Sequence, residues 1–165
     1  MNTKYEFTGE TKIVYGRRLR RIKAIVAIGS TAAPGDIGGW IENENNLSVY
    51  GNAWVYGDAE VYGNAMVYGN AWVYGNAIVY GDACVSGNAI VSGNKDYMTF
   101  KNSWSSGRWF TYTASNKKWS VGCFYGTGDE LVRKAYADSE LSGKCYEAIV
   151  RAVEAIEAAK GSGVK

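Results

Sequence analysis

Residues 47–94 read LSVYGN AWVYGD AEVYGN AMVYGN AWVYGN AIVYGD ACVSGN AIVSGN, eight six-residue units with no insertion between them. Such a period fits neither a helical stripe nor a hairpin array, and a pentapeptide solenoid would need a period of five. It matches the hexapeptide β-helix pattern, in which an aliphatic residue is followed four positions later by a small one. Here Val holds the first slot (49, 55, 61, 67, 73, 79, 85, 91) and Ala the second (53, 59, 65, 71, 77, 83, 89). A β-branched Val packs well inside a narrow coil of strands, while Ala fits near a corner where nothing larger can. Gly-Asn and Gly-Asp form the corners because both residue types tolerate positive φ. Ile37 and Ile41 fall in register with the Val and Ala slots, and Asn43 interrupts the Val series. The expected fold is an all-β solenoid, a left-handed parallel β-helix of about three coils over 37–94. It has an N-terminal β cap over 1–36 and a small C-terminal α+β unit over 95–165.

With three hexads to a coil, residues 18 apart stack at about 4.8 Å, so the outer faces become legible. One face carries Trp54, Tyr56, Trp72, Tyr74 and Ile90. A second carries Glu60, Tyr62, Ile78 and Tyr80, and the third Ser48, Tyr50, Met66, Tyr68, Cys84 and Ser86. The first is too apolar for a solvated sheet face, and its aromatics suit the core of an interface. Self-association through it is one expectation. The alternative is that the terminal segments of the same chain cover it. The corner columns Asn52/Asn70/Asn88, Asp58/Asn76/Asn94 and Asn64/Asp82 never stack two carboxylates. That argues for amide ladders and against a calcium site.

An open solenoid end exposes unpaired strand edges, so caps are required. Strands are expected around Tyr5–Phe7, Thr11–Tyr15 and Leu19–Ile28. The run Arg17, Arg18, Arg20, Arg21, Lys23 reads as the solvated side of this cap, with Glu6 and Glu10 to neutralise it; the alternative is a site for an acidic partner. After Asn94, alternation predicts strands at Tyr97–Phe100, Arg108–Thr113 and Trp119–Phe124. Thr127 to Glu130 forms a capping box for a short helix. A second helix, Leu141 to Lys160, places Tyr146, Ile149, Val150, Val153 and Ile156 on one face.

The 165 residues contain 21 Gly, 13 Tyr, a single Pro and no histidine. Lacking histidine, the chain has no imidazole to act as general base, zinc ligand or partner of a nucleophile. Cys84, Cys123 and Cys145 are too widely spaced for a disulfide framework or a metal knuckle. The repeat block carries no Lys or Arg and three acids, Asp58, Glu60 and Asp82. It therefore has no electrostatic footprint for a nucleic-acid backbone. Neither a secretory leader nor a membrane-spanning run is evident, so a cytoplasmic protein without cofactor or metal is expected.

The stretches GRRLRRIKAIVAIG and GDIGGWIENENNLS, with the V-x-G-N-A-x units, resemble prophage and enteric hexapeptide-repeat proteins of the YdcK type. MTFKNSWSSGRWFTYTASNKKWSVGCFYGTGDEL, followed by YEAIVRAVEAI, is similar to a unit attached to phage-encoded repeats. The resemblance implies a left-handed β-helix, a homotrimer, and a phage or prophage origin with action in the host cytoplasm. Enzymes of this fold, acyltransferases and zinc carbonic anhydrases, rely on histidines that are absent here. The leading expectation is a non-catalytic trimeric scaffold that binds a macromolecule through its C-terminal unit. Trp104, Arg108, Trp109, Lys117, Lys118 and Trp119 are the candidate contacts, unless these aromatics merely fasten the hairpin to the solenoid. Two readings stand beside it. One is a phage inhibitor of host defence that binds an immune protein or sequesters a nucleotide, although no residue specifies such a ligand. The other is an enzyme using Cys123, which lies just before a helix N-terminus.

Overall fold

The structure, a computed structural model, describes residues 2–162. Strands β1 (Tyr5–Val14), β2 (Arg17–Ala24) and β3 (Ile37–Ile41) lead into the repeat. There, two-residue strands follow: β4 (Trp54–Val55), β5 (Glu60–Val61), β6 (Met66–Val67), β7 (Trp72–Val73), β8 (Ile78–Val79), β9 (Cys84–Val85) and β10 (Ile90–Val91). Next come β11 (Tyr97–Lys101), β12 (Trp109–Thr113), β13 (Lys118–Val121) and β14 (Phe124–Gly126), then helices α1 (Gly128–Asp138) and α2 (Glu140–Gly161).

The repeat is a β-solenoid. Its strands pair in parallel with those one coil on, Trp54 with Trp72 and Ile90, Glu60 with Ile78, and Met66 with Cys84. Every Val from 55 to 91 and every Ala from 53 to 89 in the two inward slots is fully buried. The corner glycines from Gly51 to Gly87 all adopt φ between +63° and +70°, the left-handed region that a side chain disfavours. At Gly51 an added Cβ would also meet the Gly69 carbonyl at 2.4 Å.

The first coil departs from the hexad. Trp40 pairs with Glu60, Ile41 with Val61 and Leu47 with Val67, each two residues out of the later spacing. Leu47 thus takes the core slot expected of Val49, while Val49 is 37% and Tyr50 81% exposed. These two residues loop outward, and the regular register resumes at Gly51. Ile41 fills a Val position rather than an Ala one, and Ile37, expected in the Val series, lies exposed opposite Lys23. Asn46, fully buried, stabilises this coil by donating from Nδ2 to the carbonyls of Gly63 (3.1 Å) and Ala65 (2.8 Å). Its Oδ1 accepts from the Asn43 amide.

Strands β1 and β2 form a hairpin with a bulge between Phe7 and Thr11, and β2 pairs antiparallel with β3. The second strand stops at Ala24 rather than continuing to Ile28. The hairpin's cations are mostly engaged within the chain. Lys12 meets Glu60 at 2.7 Å, Arg17 Glu42 at 3.0 Å, Arg21 Asp58 at 3.6 Å and Lys23 Glu6 at 2.6 Å. Arg20 lies over the Phe7 ring at 3.7 Å. Two of the three acids in the repeat therefore hold the hairpin in place. At the open end of the first coil, Lys4 Nζ donates to the Ser48 carbonyl at 2.9 Å. The Tyr5 hydroxyl lies 3.2 Å from the carbonyls of both Glu44 and Leu47.

The other end follows the same logic. Glu60, Met66 and Trp72 donate their backbone N–H to the carbonyls of Ala77, Ala83 and Ala89. One coil later the corresponding residues, Ile78, Cys84 and Ile90, have no further coil to reach. Side-chain oxygens stand in for the missing alanine carbonyls: Asn94 Oδ1 at 3.0 Å, Thr111 Oγ1 at 2.9 Å and Ser115 Oγ at 2.7 Å. The Tyr97 hydroxyl donates to the Ile78 carbonyl at 2.8 Å, and Ser86 and Ser120 share a buried hydroxyl contact.

Strands β11 to β14 form an antiparallel meander. Alternation sorts its side chains, with Thr111 and Ser120 meeting the solenoid while Phe110, Trp119 and Val121 pack with Leu131, Val150 and Val153 of the helices. The expected strand Trp119–Phe124 is divided by a turn at Gly122-Cys123. Thr127 and Glu130 cap α1 reciprocally. On α2, Ile156 lies exposed rather than completing the apolar face.

Thr111→Val keeps the side-chain shape but leaves the Cys84 N–H without its acceptor. It should cost about 1–3 kcal/mol, read as a lower denaturation midpoint with unchanged secondary structure. Burial lowers the Lys4 ammonium from 10.5 to about 8. Between about pH 8 and 10 the unfolded chain holds a proton that the folded one has released, so stability rises with pH. Above about pH 10 Tyr5, pushed by burial to about 12, works in the opposite direction. In Lys4→Met the rise between about pH 8 and 10 should vanish from the denaturation midpoints.

Candidate functional site

The three outer faces of the solenoid are covered unequally. Trp54, expected at an exposed interface, is only 1% exposed. Its ring lies 6.4 Å from that of Tyr5, and a Cβ on Gly38 would meet it at 2.7 Å, so the N-terminal hairpin and β3 enclose it. Tyr56 and Tyr74 stack at 5.1 Å, half-buried, while Trp72 is half-buried and Ile90 exposed. Trp72 and Ile90 line a cleft of about 350 Å³ with Asn52, Asn70, Asn88 and the 29–31 loop. This face is therefore part covered and part bare.

The second face lies under the hairpin, where Leu19, Trp40 and Tyr62 cluster with Val14 and Ile78. The third is open. Leu47, Val49, Tyr50, Met66 and Tyr68 line a groove of about 710 Å³.

The C-terminal candidates separate just as sharply. Trp119 is 2% exposed, packed among Phe100, Phe110 and Tyr112, and so serves the core rather than a partner. Trp104 lies half-buried against Phe110 and Tyr146, its indole N–H without a partner among the described residues. These two rings join the sheet to α2; neither reaches the solenoid. Arg108, Trp109 and Lys117 are exposed, and Lys118 is half-buried opposite Thr113. Cys123 is exposed at its turn, in a recess with Arg108, Lys134 and Asp138.

Trp109 overhangs the junction between the meander and the solenoid. There it lines a groove of about 400 Å³ with Tyr80, Asp82, Asn94, Tyr97 and Thr99. Tyr80 stacks on Tyr62 at 5.7 Å, and the bond to the Ile78 carbonyl holds Tyr97. Burial pushes the Tyr97 hydroxyl up to about 12, so it is a fixed neutral donor at physiological pH. Lys101 lies 5.8 Å from the Trp109 ring centre. Asp82 Oδ1 accepts from Asn64 Nδ2 at 3.0 Å. Sequence reasoning reached Trp109 but missed Tyr80 and Asp82, from one hexad, and Tyr97, from β11. The one available signal was an Asp where most corners carry Asn.

Among the described residues no three Cys, Asp or Glu side chains gather as a metal site. No helix is long and apolar enough to cross a membrane. Residues 59–75 match the family described as the YdcK beta solenoid repeat. The match lies inside the regular hexads and supports a β-solenoid of that type. No curated protein matches the chain.

Proposed function

We propose that this protein is a non-catalytic scaffold that assembles as a homotrimer of left-handed coils and holds a protein partner on its C-terminal unit. The observation behind the trimer is the uneven covering of the solenoid. One face lies under the hairpin, and the other two keep unlike bare patches, one with Trp72 and Ile90, the other with Tyr50 and Met66. They meet at the Asn52/Asn70/Asn88 corner. A closed ring needs two different patches on each subunit, so that the first patch of one copy meets the second of the next. The partner surface is assigned to the meander, with exposed Arg108 and Trp109 at one end and exposed Lys117 and half-buried Lys118 at the other, because the other candidate aromatics are consumed by the core. A non-catalytic role rests on a sequence without histidine.

Light scattering at micromolar concentration should give three times the 18.0 kDa chain mass. Trp72→Arg and Met66→Arg should each yield a folded monomer, judged by unchanged circular dichroism. A native chain that runs as a monomer removes the trimer. Cross-linking in cells that make the protein should join the partner to Lys101, Lys117 or Lys118. Cross-links confined to Lys12 and Lys23 would move the partner to the hairpin and refute the assignment.

A further inference from the structure

The corner slot of the eight hexads holds Asn at 52, 64, 70, 76, 88 and 94, and Asp only at 58 and 82. Asn therefore satisfies the fold at this position, and each Asp needs a separate reason. Asp58 has one in Arg21, and the third acid of the repeat, Glu60, has one in Lys12. Asp82 forms no ion pair among the described residues, and its only side-chain bond, to Asn64, is one that an amide would also make. Arg17, which lines a second groove with Asp82, is committed through two 3.0 Å bonds to Glu42.

Asp82 lines the junction groove together with three aromatic side chains, Tyr80, Tyr97 and Trp109. Tyr80 has one face on Tyr62 and is more than half exposed, so its other face is open. Trp109 is exposed on the same groove, and Tyr97, held by its hydroxyl, packs against the solenoid core beside it. Ring faces carry negative potential and attract cations that approach within about 6 Å of the centroid. The exposed rings of Tyr80 and Trp109, beside a carboxylate with no counter-ion, suit a positive group. A neutral ring would gain from the stacking but would have no use for the carboxylate. Lys101 stands near the Trp109 ring and, at 5.8 Å, lies at the outer edge of that range.

We propose that the groove formed by Tyr80, Tyr97 and Trp109 receives a cationic side chain, Arg or Lys, of the protein partner, with Asp82 as its counter-charge. This rests on the reading that the partner docks on the C-terminal unit and supplies the chemistry of its anchor.

The test is an NMR titration of the isotopically labelled full chain with Nα-acetyl-arginine amide, and in parallel with the neutral citrulline amide. Arginine should shift the Trp109 indole signal, identified by its loss in Trp109→Phe, and citrulline should not. Asp82→Asn restores the residue found at the other corners. It should weaken binding about fivefold while the rest of the spectrum stays in place. Tyr80→Ala should weaken it by a similar factor, and Lys101→Ala, which removes a like charge, should tighten it. Equal responses to arginine and citrulline would overturn the proposal in favour of simple ring stacking. Undiminished affinity in Asp82→Asn would overturn it as well. A trimer that ignores arginine removes only this inference, while a monomer that binds it removes the trimer and leaves the groove.

Discussion

A stack of parallel coils satisfies its backbone only through neighbours, and both ends lack one. Both caps answer that constraint. In the interior, the N–H of each outward-facing strand residue reaches an alanine carbonyl one coil on. At the last coil those carbonyls are replaced by Asn94, Thr111 and Ser115 oxygens at nearly the same distances. At the first, the exposed carbonyls meet Lys4 and Tyr5 donors, and Asn46 serves two carbonyls of the coil above. An unmet buried backbone group costs about as much as a lost hydrogen bond, and a bare edge invites another strand to pair. The caps are thus chemically complementary to the ends they close, and their hydroxyl and amide composition follows from that role.

The regular coils were fully legible because each slot is decided locally. Val fits the interior, Ala the space beside the corner, and Gly the positive φ, and none of these depends on distant chain. What failed depended on distant chain. Trp54 has the same sequence surroundings as Trp72, yet it is enclosed because a hairpin some thirty to fifty residues upstream folds over it. LSVYGN looks like a full hexad, but Leu47 rather than Val49 fills the core. The meander was a more recoverable loss. In Trp119-Ser120-Val121, alternation puts Trp and Val on one side and Ser on the other, and that pattern already marked Trp119 as core.

Charge is sparse in the solenoid and correspondingly informative. The basic run 17–23, which from sequence looked like a solvated strand face, divides mostly among acids of the first coils and the ring of Phe7. Individually such half-exposed pairs contribute little, on the order of 0.2–1 kcal/mol each. Their value is positional, since they lock the hairpin over one face of the prism and leave the others open. The groove at Trp109 was not legible as a site, because its members lie on β11, β12 and two corners that only the folded chain brings together.

The outward loop at Val49 and Tyr50 has a consequence for how the chain finds its fold. Eight near-identical units offer many pairings of almost equal energy, since sliding one coil by a whole hexad still places Val on Val and Gly on Gly. The energy surface of the repeat alone is therefore close to periodic, with neighbouring minima six residues apart. A first coil of different length, pinned by Asn46 and sealed by the hairpin, matches the coil above it in a single alignment. The irregular turn breaks the translational symmetry of the sequence and selects one minimum from the series.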